Sequence, residues 1–123
     1  MLMIKNGSVI RECFGHTYHP TLIALLLWLY QRYPSQVVVT SGFRPSSPGV
    51  HGTTPCRALD IRSRTFADPE VIADEINKAW DYDPERPQFE CAIYHDVGRG
   101  EHIHLQVHNN TRMILEGGEN NGD

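Results

Sequence analysis

Apolar and polar residues follow a helical period in the first third of the chain. From Thr21 to Tyr33 the apolar positions recur at intervals of three and four, which predicts a helix with one buried face. His19-Pro20 stands where such a helix begins, and Pro34 ends it. The positions expected in the core are Leu22, Leu25, Leu26 and Leu29. This segment is the expected main core helix.

A second helical pattern runs from Pro69 to Trp80. Asp68 is expected to be the N-cap, with Pro69 at the first helical position. The apolar face is predicted to carry Val71, Ile72, Ile76, Ala79 and Trp80, and the solvent face Glu70, Asp74 and Lys78.

Shorter segments rich in β-branched or alternating residues predict four strands. They are Gln36 to Thr40, Ala58 to Arg62, Phe89 to Tyr94 and His102 to His108. Long irregular stretches rather than regular helices separate them, which favours an α+β fold with a mostly antiparallel sheet and helices packed on one side. Pro45 to Pro55 is the longest loop, and a loop of that length in a small domain is often functional.

Size and composition narrow the classes of protein. A chain of 123 residues with 40% hydrophobic residues is expected to form a single domain over residues 1–115, followed by a disordered tail at 116–123. The formal charge of −4 argues against nucleic-acid binding. The longest apolar run, Leu22 to Tyr30, is about half of the ~20 residues that a membrane span needs. We therefore expect a monomer that binds neither nucleic acid nor membrane.

The N-terminus and the cysteines bear on where the protein acts. Lys5 follows the first apolar residues and no cleavage site comes after it, so we expect synthesis in the cytoplasm without a secretory signal. Cys13, Cys56 and Cys91 show no metal-type spacing, and we expect them to be reduced and buried.

The candidate chemistry lies in two strands and one loop. Between His102 and His108 every second residue is polar, so His102 and His104 are expected on one face and the aliphatic residues on the core face. The same alternation directs Asp60 away from the core. His51, at the end of the long loop, is close enough in sequence to fold back beside Asp60. Two histidines and one aspartate predict an open zinc site, although a single histidine on a strand is more often only solvated or hydrogen-bonded.

The order of these segments is similar to that of a known family. Ser41-Gly42-Phe43-Arg44, then His51, then Arg57-Ala58-Leu59-Asp60-Ile61, then Glu101-His102-Ile103-His104 resembles the zinc D-alanyl-D-alanine carboxypeptidases and dipeptidases, a family that includes phage L-alanyl-D-glutamate endolysins and shares its fold with the Hedgehog signalling domain. The resemblance covers about Val37 to His108. It implies a Hedgehog/DD-peptidase-like fold.

The resemblance also implies a role for each matched residue. His51, Asp60 and His104 match the Zn²⁺ ligands, Glu101 the general base, and Arg44 the contact to substrate or to the developing oxyanion. His102 matches the additional histidine of the members with a His-x-His motif, where it would stabilise the developing negative charge.

Two features depart from the family pattern. The family has seven residues from the first His to the Asp, whereas this chain has nine, so two residues are inserted around Gly52 to Pro55. Cys56 replaces a glycine, and we interpret it as a small apolar substitute.

Strict alternation points Glu101 away from His102, so its role as a base requires a bend after the turn at Gly98-Arg99-Gly100.

The function that this resemblance implies is hydrolysis of peptide bonds in peptidoglycan stem peptides, of the D,D or L,D type. A phage endolysin or virion-associated enzyme would be made in the cytoplasm and act on the cell wall after release through a holin or a virion. One alternative is a zinc-stabilised binding or structural module without turnover. The other is a domain without metal, in which the His and Asp residues are polar surface.

The other aromatic and imidazole side chains are expected to be structural. This holds for His16, His19 and His108, and Trp28 and Trp80 are expected in the core. His95 is expected to be structural too, but near enough to the turn before His102 to reach the rim of the site.

Overall fold

A computed structural model describes residues 3–4, 18–41, 55–96 and 101–114. The expectations for Cys13, His16, Arg44, His51 and the tail 116–123, and for all but the last residue of the loop from Pro45 to Pro55, lie outside these ranges. The elements in chain order are β1 (Met3–Ile4), α1 (Pro20–Arg32), β2 (Val38–Ser41), β3 (Ala58–Arg62), α2 (Pro69–Ala79), β4 (Trp80–Asp81), β5 (Ala92–Asp96), β6 (Glu101–Gln106) and β7 (Arg112–Met113).

Helix α1 confirms the first helical prediction to within one residue at each end. Its four predicted core leucines, Leu22, Leu25, Leu26 and Leu29, are buried. His19 is the N-cap, and its Nδ1 atom accepts a hydrogen bond from the Thr21 backbone N–H at 3.1 Å. The imidazole here replaces the Ser, Thr, Asp or Asn side chain that usually caps a helix.

Helix α2 confirms the second prediction except at two apolar positions. Asp68 caps it by accepting from the Val71 N–H at 3.4 Å. Ile72 and Ile76 are buried, but Val71 is 55% exposed. Its predicted burial was wrong, because neighbouring helical positions lie about 100° apart and the buried face centres on the i, i+4 pair Ile72 and Ile76. Trp80 is buried as expected, but it lies in β4, where it pairs with Met113.

The strands form a five-stranded sheet in the order β1-β2-β3-β6-β5. β1 and β2 are parallel, and the other neighbours are antiparallel. One buried cluster joins side chains of both helices with Ile61, Ile103 and Leu105 of the central strands. Trp28 and Trp80 meet edge to face at this cluster, with ring centroids 6.2 Å apart, as a core role requires. The α+β class and the mostly antiparallel sheet are therefore confirmed.

The strand limits follow the prediction at β3 and shift elsewhere. β3 has the predicted bounds, whereas the strand expected from Phe89 begins only at Ala92. The residues before β5 form turns instead. The Arg86 N–H donates to the Asp83 carbonyl oxygen, and the Phe89 N–H donates to the Arg86 carbonyl oxygen. β6 ends at Gln106, two residues earlier than expected, and Val107 and His108 begin the connection to β7.

Asn77 of α2 holds the outer edge of β5. Its side-chain Nδ2 donates to the Ala92 carbonyl and its Oδ1 accepts from the Ala92 N–H, both at 2.9 Å. Within the described sheet β5 is an edge strand, so these two backbone groups have no partner there in a neighbouring strand. The amide of Asn77 satisfies both groups and fixes the start of the strand that carries His95.

We expect Asn77→Leu to destabilise the protein by about 2–4 kcal/mol, because two hydrogen bonds are lost and two buried backbone groups stay unpaired. Chemical denaturation with urea measures the change. Lys78→Leu, at the neighbouring exposed position of α2, is the control and should shift the free energy of unfolding by less than about 0.5 kcal/mol. Equal stability of Asn77→Leu and the wild type would contradict this account of the edge.

The two described cysteines, Cys56 and Cys91, are buried, as expected. Burial raises the pKa of the Cys91 thiol to about 12. A thiol with such a pKa stays protonated near neutral pH and is a poor nucleophile. Cys56 is fully buried, and its Sγ lies 3.4 Å from the Ala58 carbonyl oxygen, which agrees with the small apolar role expected for it.

Candidate functional site

The candidate site lies on the sheet face opposite the helices. Along β6, Ile103 and Leu105 are fully buried in the core, whereas His102, His104 and Gln106 are partly exposed on the other face. The predicted alternation of this strand is confirmed. It follows from the two-residue period of a strand that has one face on an apolar core.

Strand register brings Asp60 and His104 together. The two residues are direct partners across β3 and β6, and directly opposed residues share a face of the sheet. His104 Nδ1 lies 3.0 Å from Asp60 Oδ1. Asp60 is only 6% exposed, so its carboxylate is held largely out of water beside the imidazole. Two of the three residues predicted as metal ligands are therefore in contact.

His102 lies next to this pair. Its Nε2 atom is 3.9 Å from the same Asp60 Oδ1 atom that His104 contacts. In the register, His102 stands between Arg62 of β3 and His95 of β5. The rings of His95 and His102 meet at 4.5 Å between centroids with planes 64° apart. His95 thus reaches the site, as expected from its place before the turn.

Gln106 extends the polar row beyond His104. Its Oε1 atom is 3.1 Å from His104 Nε2, and its Nε2 donates to the Glu90 carbonyl oxygen at 2.8 Å. Both ring nitrogens of His104 therefore face an oxygen atom, one on Asp60 and one on Gln106. The sequence placed Gln106 on the histidine face without giving it a role, and its position two residues after His104 was the signal that pointed to this contact.

Glu101 points to the other side of the sheet. It pairs with Asp96 at the start of β6, and its Oε1 atom accepts a hydrogen bond from the Tyr94 hydroxyl. Tyr94 is opposite Ile103 and packs against the core cluster. Within the described part of β6, Glu101 keeps the strand alternation, and the bend that would turn it toward His102 is not found.

The predicted residues Arg44 and His51 lie outside the described residues. The described residues nearest to them in sequence are Ser41 and Pro55. Ser41, three residues before Arg44, pairs with Asp60 where β2 lies beside β3. The pairing register of these two strands shifts between Val39 and Ser41. Four residues after His51, the described chain resumes at Pro55 and enters β3 at Ala58.

The two described ligand candidates have side chains of a type that zinc sites use. His104 Nδ1 and Asp60 Oδ1 are 3.0 Å apart, a hydrogen-bond distance, whereas two ligand atoms of a tetrahedral Zn²⁺ would be about 3.4 Å apart. A neutral imidazole and a carboxylate are also donors that zinc accepts. Among residues 18–41, 55–96 and 101–114, no group of three His, Cys, Asp or Glu residues is arranged to hold a metal ion. The third ligand of the predicted set, His51, lies outside these ranges.

Two further histidines have structural surroundings. His19 caps α1, and its Nε2 lies 3.0 Å from Asn109 Oδ1. The ring of His108 packs on the ring of Tyr82, with 5.8 Å between their centroids. Its Nδ1 atom accepts a hydrogen bond from the backbone N–H of Asn110, with 3.2 Å between the two nitrogen atoms. These contacts agree with the structural roles expected for both residues.

Comparisons with protein-family models, with curated proteins and with solved structures find no match to this chain. In the described part of the chain, neither helix has the length and hydropathy that a membrane span requires.

Proposed function

We propose that the chain is a zinc-dependent peptidase that hydrolyses D,D- or L,D-type peptide bonds in the stem peptides of peptidoglycan. The observation that carries the proposal is the contact between Asp60 and His104 at 3.0 Å on the polar face of the sheet. These two residues were selected from sequence motifs 44 positions apart, and the register of β3 and β6 joins them.

The substrate class rests on the motif order described above. The segments around Ser41, Asp60 and His104 resemble those of peptidases that act on the cell wall. We further propose that the protein is an endolysin or a virion-associated lytic enzyme of a phage, made in the cytoplasm and released onto the wall.

In this proposal Asp60, His104 and His51 hold the zinc ion. Zinc in such a site supplies a Lewis acid that polarises a carbonyl group and lowers the pKa of water. Arg44 contacts the substrate. The orientation of the side chains favours His102 over Glu101 as the residue that moves the proton, because His102 lies on the face of Asp60 and His104 whereas the Glu101 carboxylate is bonded to Tyr94.

A second candidate is a zinc-stabilised module without turnover. The contact between Glu101 and Tyr94 favours it, because the carboxylate expected to act as general base lies on the opposite face from the metal ligands. The two candidates share the metal site and differ in activity.

Metal analysis and peptidoglycan digestion of the purified full chain test both candidates. We expect one zinc ion per chain by mass spectrometry and release of soluble peptides from purified peptidoglycan. Mass analysis of the new termini then identifies the bond that is cut. Removal of zinc with a chelator should stop digestion, and added zinc should restore it.

The outcomes separate the candidates. Stoichiometric zinc without digestion of walls that differ in their stem peptides would support the non-catalytic module. Protein purified and refolded with zinc that retains no metal would contradict both candidates.

A further inference from the structure

Arg62 is a positively charged residue on the sheet face that carries Asp60 and His104. It ends β3, two residues after Asp60, and alternate residues of a strand share a face, about 6.5 Å apart. Ile61, the residue between them, is fully buried in the core. The partner of Arg62 across β6 is His102, and directly opposed residues also share a face. Arg62 therefore stands beside the histidine that we propose moves the proton.

The guanidinium group of Arg62 has no carboxylate partner in the described part of the chain. The arginine ion pairs found there are made by Arg32 and Arg86. The carboxylate of Asp60, which shares the face of Arg62, is in contact with His104 instead. Arg62 is partly buried, and its planar guanidinium offers N–H donors in a fork that fits a carboxylate. The site face thus presents an arginine that can bind a carboxylate from outside the chain.

The substrates of the proposed function share a carboxylate at one position. At a D-alanyl-D-alanine terminus, the residue that leaves as the amine has a free α-carboxylate. In an L-alanyl-γ-D-glutamyl peptide, the leaving D-glutamate also has a free α-carboxylate, because the chain continues through its γ-carbonyl group. In both cases only the amide nitrogen and one α carbon separate this carboxylate from the scissile carbonyl group.

We propose that Arg62 binds the α-carboxylate of the residue on the leaving side of the scissile bond. The short separation between the two substrate groups matches the two-residue step from Asp60 to Arg62 along β3. The chain has a net charge of −4, which repels an anionic peptide, so a cation at the site attracts the substrate against that field. The inference rests on the proposed function and makes Arg62 a specificity-determining residue for a free carboxylate.

Matched pairs of peptides test this role. One pair is an acylated D-alanyl-D-alanine peptide and its C-terminal amide. The other is an L-alanyl-γ-D-glutamyl peptide and its D-isoglutamine analogue, in which the α-carboxylate is an amide. The two pairs distinguish the two sources of the carboxylate. Values of kcat and KM are measured with the zinc-loaded full chain for the wild type, Arg62→Gln and Arg62→Lys.

For the pair that the wild type cleaves, we expect kcat/KM to be about 10–100-fold higher for the carboxylate form than for the amide, because the amide loses a charged hydrogen bond. Arg62→Gln should lose this preference, mainly through a higher KM for the carboxylate form. Arg62→Lys should keep part of it, since it retains the charge without the planar fork. A merely structural role of Arg62 would instead lower the cleavage of both peptides equally.

Arg112→Gln is the matched control. Arg112 is an exposed arginine in β7, which pairs with β4 and not with the sheet that carries the site. This variant removes the same charge from the chain as Arg62→Gln does. It should keep the wild-type preference for the carboxylate, so a general effect of net charge is measured separately.

Binding of the same peptides to the metal-free protein, followed by NMR, separates this inference from the proposed function. If no peptide is cleaved, the proposed function fails, and tighter binding of a carboxylate form that is lost in Arg62→Gln still supports the role of Arg62. A wild type that shows no preference for the carboxylate in cleavage or in binding would overturn the inference. A preference that Arg62→Gln retains would overturn it as well.

Discussion

Asp60→Ala is expected to abolish both zinc retention and peptidoglycan digestion. The carboxylate is buried, contacts His104 at 3.0 Å and lies 3.9 Å from His102, so its removal takes away a proposed zinc ligand and the negative charge between two imidazoles. Loss of a direct ligand should exceed the ~10–100-fold loss in affinity caused by removal of an outer partner. Metal content by mass spectrometry and peptide release from purified walls measure the two effects.

The same variant should lose the stabilisation that zinc gives to the folded state. Zinc at about 100 times its Kd adds about 2.7 kcal/mol to the free energy of unfolding of a protein that binds it only when folded. Thermal melts with and without added zinc should therefore differ for the wild type and coincide for Asp60→Ala. Such melts also show whether the variant folds, because its transition in the absence of zinc remains measurable.

Asp83→Ala is the matched control for Asp60→Ala. Asp83 is also a buried aspartate, but its contacts are with Arg86, the Glu85 N–H, Asn110 and, at 4.0 Å, His108, away from the site. We expect this variant to lose stability and to retain one zinc ion per chain. Full zinc content in Asp60→Ala, or equal zinc loss in both variants, would contradict the assignment of Asp60 as a ligand.

The helices and the central strands were predictable because each has a strong local signal. Proline at the first turn and spaced leucines fixed α1, and the alternation around Asp60 gave β3 with its correct bounds. In these elements the local pattern and the tertiary packing favour the same structure. The errors occurred where tertiary packing decides, as at Val71, which is apolar but 55% exposed because it lies off the buried face of α2.

The candidate site was predictable as a set of residues on one face, but not as a network of contacts. Alternation along one strand places His104 and Gln106 together, since that property depends on a period of two. The contact of Asp60 with His104 depends on the register between β3 and β6, which is fixed by distant core residues such as Ile61 and Ile103. The sequence pattern within either strand alone does not determine this register.

The orientation of Glu101 shows the limit of motif matching. Its spacing of three residues before His104 matches the family pattern, yet the side chain follows the alternation of the strand and meets Tyr94. Tyr94 is on the neighbouring strand, and its position opposite Ile103 comes from the pairing of β5 with β6. The rule of alternation predicted this orientation, whereas a role as general base required a bend that the described strand does not have.

The second large effect is expected from His102, and the comparison with Glu101 decides which residue moves the proton. In His102→Ala we expect kcat for peptide release to fall about 10²–10⁴-fold, the usual contribution of a general acid or base, while zinc content stays at one ion per chain. In Glu101→Gln, a change on the opposite face of the sheet, kcat should stay within about threefold of the wild type, since such a residue takes no part in the proton transfer. The pH profile of kcat should change only in the His102 variant.

His108→Ala is the control for removal of an imidazole near the end of the same strand. Its ring packs on Tyr82, and its described contacts are with residues outside the site, so this variant should keep its activity and its zinc. A large loss of kcat in Glu101→Gln with little change in His102→Ala would reverse the assignment. That result would require the first residue of β6 to leave the strand and release Tyr94 when substrate binds. Unchanged activity in both variants would remove both residues from the proton transfer.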